Sequence, residues 1–101
     1  MYQYKATVGH STDGKLWKIT IHGISDDKKN HRQIVLDNVK TRRAAREAKD
    51  KVMEFYALLD ECEYSSNIFE VLAAGVLKRL TIASLDAMYG VTLTETNDSV
   101  N

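Results

Sequence analysis

Residues 2–10 alternate, with Tyr4, Ala6 and Val8 on one side and Gln3, Lys5 and Thr7 on the other, which is the two-residue period of a half-buried strand. Ser11-Thr12-Asp13-Gly14 supplies hairpin chemistry, because glycine accepts positive φ. A second strand is expected over Lys15–Gly23, with Trp17, Ile19 and Ile21 inward and Leu16, Lys18, Thr20 and His22 outward. The polar run Ser25–Asn30 reads as a second hairpin loop, and a third strand of about His31–Asp37 brings Ile34 and Leu36 into the core. From Thr41, a good N-cap, the period lengthens: Ala45, Ala48, Val52, Phe55, Tyr56 and Leu59 share one face at spacings of three and four, predicting a helix over 41–61. Asn67 with Glu70 three positions on resembles a capping box and opens a second helix over 67–80. Thr81 offers the cap of a short third helix over 82–89, stopped by Gly90. Residues 91–101 read as a polar tail in which Val91, Leu93 and Glu95 offer an edge strand.

The expected fold is therefore α+β: a three-stranded antiparallel sheet over 1–38, packed against a long helix and followed by one or two further helices. A chain of 101 residues is large enough for one core and too short for two, so residues 1–101 are expected to form a single domain. The 44% hydrophobic and 28% charged composition is that of a globular chain. Cys62 has no second cysteine to pair with, which suits a reducing compartment. The N-terminal MYQYKATVGH lacks the apolar run of a secretory signal, and the most apolar stretch, 68–80, carries Glu70, Lys78 and Arg79 and falls short of a bilayer span. The expectation is a cytoplasmic protein that does not enter the membrane.

The formal charge is zero, yet it is unevenly spread. Residues 1–52 hold twelve Lys/Arg and six Asp/Glu (+6), whereas 53–101 hold two and eight (−6). Such polarity points to a basic face for nucleic acid or another anion. Lys28, Lys29 and Arg32 form one basic group; Lys40, Arg42, Arg43, Arg46 and Lys49 form another at the start of the first helix. Arg42, Arg46 and Lys49 are spaced i, i+4, i+7 and lie away from the Ala45/Ala48/Val52 face, so a phosphate backbone could accept all three. On the outward sheet face, Lys5, Thr7, Lys18, Thr20, His22 and Gln33 are polar groups of the kind that contact base edges when a β-ribbon enters a major groove.

Chemistry of other kinds finds no support. His10, His22 and His31 lack a second ligand at metal-binding spacing, Cys62 lies between Glu61 and Glu63, which disfavour a thiolate, and no GxSxG, HExxH or glycine-rich phosphate loop occurs. No metal, cofactor or catalytic residue is expected, and the reading is of a non-enzymatic binding protein.

The order strand-turn-strand-turn-strand, followed by Asn38-Val39-Lys40-Thr41-Arg42-Arg43-Ala44-Ala45-Arg46-Glu47-Ala48, resembles the arm-type DNA-binding module of phage integrases, in which a K-T-x-x-x-A segment joins sheet to helix. The resemblance covers about residues 1–60. It implies that the sheet is laid into DNA and that Lys5, Lys18, Thr20 and Gln33 make contacts. Val39 stands where that family usually has an aromatic, and no recombinase domain follows within the chain. Thr81–Thr92 resembles the first half of a LacI-type helix-turn-helix, but the segment that would be its recognition helix, Leu93–Asp98, is acidic and is read as unsuited to phosphate.

The second helix carries a separate message. Phe69, Val71, Leu72, Ala73, Ala74, Val76, Leu77 and Leu80 make it apolar nearly all round, more than one sheet and one helix can cover. Phe69, Leu72, Ala73 and Val76 are the expected interface of a homodimer or of a foreign target. Two functional expectations follow: a nucleic-acid-binding regulatory or accessory protein of phage or mobile-element type, using Lys5, Lys18, Thr20, Lys28, Lys29, Arg32, Arg42, Arg43 and Arg46; or an inhibitor or adaptor that grips a host protein through the second helix and the acidic C-terminal half.

Overall fold

The structure, a computed structural model, describes residues 2–10, 14–63 and 67–99. Four strands, β1 (Tyr2–His10), β2 (Trp17–Ser25), β3 (Asn30–Val39) and β4 (Thr92–Ser99), form one antiparallel sheet in the order β1-β2-β3-β4. Two helices, α1 (Arg42–Glu63) and α2 (Ile68–Tyr89), are inserted between β3 and β4. The α+β class and the expected three-strand start thus hold, and the edge strand offered within the polar tail forms as a fourth strand that includes Leu93 and Glu95. Of the predicted Ser11–Gly14 turn only Gly14 lies within the described residues, and its φ of 71° is the one such a turn asks of glycine.

One face of the sheet is buried. Ile19, Ile21, Ile34 and Leu36 are fully excluded from solvent and meet Ala45, Ala48, Val52, Tyr56 and Leu59 of α1. The register changes between Trp17↔Val39 and Ile19↔Leu36, so β3 spends one residue more than β2 over that step. This bulge puts Asn38 at φ 66°, a left-handed conformation that asparagine tolerates, and restores the inward direction for Val39, which would otherwise point out. Thr41 then caps α1 by accepting the Ala44 N–H on its hydroxyl at 3.0 Å.

The second helix differs from expectation. Residues 68–80 and 82–89 form one continuous helix, α2, capped at Asn67, whose side chain accepts the Phe69 N–H, and ended at Gly90 with φ 65°. No glycine or proline interrupts the helix near Thr81, and Ala74, Lys78, Thr81, Ile82, Leu85 and Tyr89 continue one inward stripe through the position of the supposed break. Leu93–Asp98 therefore lies in a strand and is no recognition helix.

A third departure concerns Arg32. Strand alternation gives it the same face as Ile34 and Leu36, and it is 7% exposed, enclosed between sheet and helix. Its Nη1 donates to Asp60 Oδ1 and to the Tyr4 hydroxyl, both at 2.9 Å, while the Tyr4 hydroxyl donates to Asp60 Oδ2 at 2.7 Å. Its Nε donates to Asn97 Oδ1 at 3.2 Å, and the guanidinium lies over the Tyr2 ring. Burial and the Asp60 hydrogen bond push the Tyr4 phenol above its usual range. Beside this group, Lys78 of α2 bonds Glu95 of β4 at 2.6 Å, fastening the helix to the sheet edge. Burial opposes ionisation of Glu95, but the bonds from Lys78 and Asn97 and the nearby Tyr56 hydroxyl outweigh it and hold the carboxyl below the ordinary glutamate range. Arg32 is thus a structural residue, and its expected place among phosphate contacts is withdrawn.

Candidate nucleic-acid interface

The remaining basic residues fall into separate places because β3 keeps its two ends apart. The turn bearing Lys28 and Lys29 precedes β3, whereas α1 begins after it, so about 30 Å of strand lies between the two groups. Lys28 is itself part of a turn closed by its N–H bonding to the Ser25 carbonyl, at φ 61°. Lys5 sits midway along β1, opposite His22 and exposed on the face away from the helices.

Where the sheet meets the start of α1, several side chains converge at one corner. Val8, Trp17, Arg42, Arg46 and Lys49 line an open cleft of about 420 Å³ between β1, β2 and α1. Arg42 and Arg46 are exposed and Lys49 is half-buried, in keeping with their i, i+4, i+7 spacing. Round the strand edge, Thr7, Val8, Gly9, His10, Lys18 and Thr20 line a second cleft of about 190 Å³. Val8 is common to both. His10 packs on Trp17 with ring centroids 3.9 Å apart, because the β1–β2 register pairs them directly. Arg43 is exposed beside the corner and bonds Glu47 one turn on at 3.3 Å.

The electrostatics of this corner are unusual for a helix start. The first turn of α1 carries no acidic residue, although the partial positive charge of a helix N-terminus favours anions there and disfavours Arg42 and Arg43. An anion lying against the corner would relieve that conflict. On the open sheet face, Lys5, Thr7, Lys18, Thr20 and His22 occupy the β1–β2 half, and the acids Asp37 and Asp98 occupy the β3–β4 half. Both helices pack on the opposite face.

Of the expected site residues, the structure therefore brings Arg42 and Arg46 to one cleft with Arg43 next in the chain, puts Lys18 and Thr20 in a second cleft round the strand edge, leaves Lys5 on the open sheet face, places Lys28 and Lys29 at the far end and buries Arg32. Sequence reasoning missed Trp17 and His10 as corner residues. The signal was present: a hairpin with constant register sum places residue 10 opposite residue 17. Trp17 is only half-buried, since it ends its strand at the cleft. On the open face, His22 Nδ1 and His31 Nε2 lie 3.3 Å apart, but no group of three metal-binding side chains occurs among the described residues. Neither helix among those residues is long and apolar enough to cross a membrane. No family model, curated protein or solved structure matches the chain.

Proposed function

We propose that the protein is a small non-enzymatic nucleic-acid-binding protein of regulatory or accessory type, which engages duplex DNA with the β1–β2 half of its open sheet face and the corner at the start of α1. The observation that carries this reading is the convergence of Arg42, Arg46 and Lys49 on a cleft with Trp17 at a helix start stripped of acids, with Lys18, Thr20 and His10 lining an adjoining cleft round the strand edge at Val8. In this reading Arg42, Arg46 and Lys49 hold phosphate, and Lys18, Thr20 and Lys5 face base edges, as the resemblance to integrase arm modules also implies. Lys28 and Lys29, at the other end of β3, lie outside this corner.

The test is a fluorescence-anisotropy titration of labelled duplex at several salt concentrations. Replacing Arg42 and Arg46 by Ala should reduce the slope of log K against log salt by about 0.9 for each phosphate that is no longer neutralised, uniformly across sequences. Lys18→Ala should alter sequence preference, while Lys28→Ala with Lys29→Ala should leave the slope unchanged. No affinity of the wild type for duplex at low salt would overturn the proposal. A second reading, a protein-binding inhibitor or adaptor, is favoured by one observation, the exposed apolar surface of α2.

A further inference from the structure

The 22-residue α2 carries two apolar stripes on opposite sides. Ala74 and Leu85 are buried and, with half-buried Ile82 and Tyr89, mark the side packed on α1 and β4. At 100° per residue, positions 69, 72, 73, 76, 80, 83 and 87 fall within about 100° of arc, centred roughly opposite that side. This outer stripe is exposed: Phe69 is 78%, Leu72 64%, Val76 51% and Leu80 59% accessible. It contains no charged residue. Isolated apolar residues on a surface are ordinary, but a continuous stripe on one helix marks an interface.

The order of residues in the stripe indicates what covers it. The spacing 69-73-76-80-83-87 reads 4-3-4-3-4 and is the same from either end, so an antiparallel copy of the helix presents the same stripe in register. With positions summing to 156 paired, Phe69 meets Ala87, Ala73 meets Ala83, Val76 meets Leu80, and Leu72 meets Ser84. Bulky side chains at the N-terminal end thus face small ones at the C-terminal end, and Ala73 against Ala83 lets the backbones approach closely. A two-fold interface requires this self-complementarity, with residue i on j and j on i. Taking roughly 100 Å² for each of Phe69, Leu72, Val76 and Leu80 and the flanking Ile68 and Leu77, the contact removes on the order of 600 Å² per copy, or ~1,200 Å² in all. That reaches the lower limit for a specific interface.

We infer that the occupant of the outer face of α2 is a second copy of this chain, bound as an antiparallel two-fold pair in which Val76 of each copy faces Leu80 of the other. The inference does not depend on nucleic-acid binding. It is tested by sedimentation velocity of the full chain at concentrations up to about 300 µM, where such an interface gives a particle of twice the 11.4 kDa chain mass. Val76→Glu and Leu80→Lys should each give monomer, with far-UV circular dichroism unchanged because both sites are exposed in the single chain. Mixing the two variants should restore a dimer, since one Glu then faces one Lys while the other Val–Leu contact is intact. A monomeric wild type at the top concentration overturns the inference and moves the stripe to a foreign protein. A wild-type dimer that survives both substitutions, or variants that fail to pair on mixing, overturns it as well.

Discussion

Removing the Asp60 carboxylate should unfold much of what α1 and the sheet build together. Asp60 is 1% exposed and accepts from Arg32 and from Tyr4, while the Arg32 side chain is 8% exposed. Asp60→Ala leaves a guanidinium enclosed by Tyr2, Tyr4 and Tyr56 without its nearer carboxylate, Glu95 standing at 3.9 Å and itself bonded by Lys78, a change that costs up to about 3–5 kcal/mol. Against a total stability of roughly 5–15 kcal/mol, that is about a fifth or more of the whole. With a slope of about 1.5 kcal/mol per M of urea, the unfolding midpoint should fall by about 2–3 M. Trp17 fluorescence and far-UV circular dichroism report the transition. The double replacement Arg32→Met with Asp60→Leu removes both charges together and should recover part of the loss, because no buried guanidinium is left without Asp60, while the Tyr4 hydroxyl still loses both of its partners. It should also keep any affinity for duplex DNA, since Arg32 does not reach the surface. A midpoint shift below about 0.5 M for Asp60→Ala would refute this reasoning. Arg32 would then be a solvated residue, free to return to the phosphate contacts that its charge alone suggests.

Gly23→Ala should destabilise by about 1–3 kcal/mol in the same assay, because its Cβ would stand 2.5 Å from the Tyr4 ring, which Asp60 and Arg32 hold in place. Stability should form a plateau in pH with losses on both sides, read as melting temperature. Glu95 ionises more readily folded than unfolded, so its contribution is present above the ordinary glutamate value of about 4.3 and is lost as pH falls below it. Burial raises Tyr4 and Tyr56, the second also through Glu95, so their contribution is present below about 10 and is lost as pH climbs above it. Trp17→Ala should cost about 1–2 kcal/mol, below the 3–5 of a fully enclosed aromatic, because the ring is half-buried at the cleft.

Local periodicity made most of the fold legible. The alternation of Tyr4 and Ala6, the Ile19/Ile21 pair and the Ala45/Ala48/Val52 stripe each place a core face without tertiary information, whereas Val8, of the same parity, is exposed at the cleft. Gly90 and Thr41 act as the helix terminators their chemistry suggests. The misread positions have particular causes. Arg32 shares parity with Ile34 and Leu36, yet its charge argued for solvent; the partner that makes burial tolerable, Asp60, is 28 residues away on another element. The bulge at Asn38 was hidden because neither Leu36 nor Val39 reveals that both point inward until β2 fixes the register. Thr81 reads as a cap in isolation, but the stripe from Ala74 to Tyr89 crosses it without interruption. The corner was half legible: the spacing of Arg42, Arg46 and Lys49 gave one wall, whereas Trp17 and His10 needed the hairpin register.

The two surfaces singled out share no residue, and this makes their roles separable. The corner draws on β1, β2 and the first two turns of α1, while the outer stripe belongs to α2, which packs on α1 and β4. Pairing through α2 therefore leaves the open sheet face of each copy uncovered, and each copy carries its own set of cations. Val76→Glu should halve the number of chains bound per long duplex at a given free concentration while leaving the salt slope per chain unaltered, because no phosphate-binding side chain is removed. Arg42→Ala with Arg46→Ala should do the reverse, lowering the slope in a protein that still sediments as a dimer. If instead Val76→Glu lowers the slope, the cations act only when two copies join them into one surface. The corner of a single chain would then be an incomplete site.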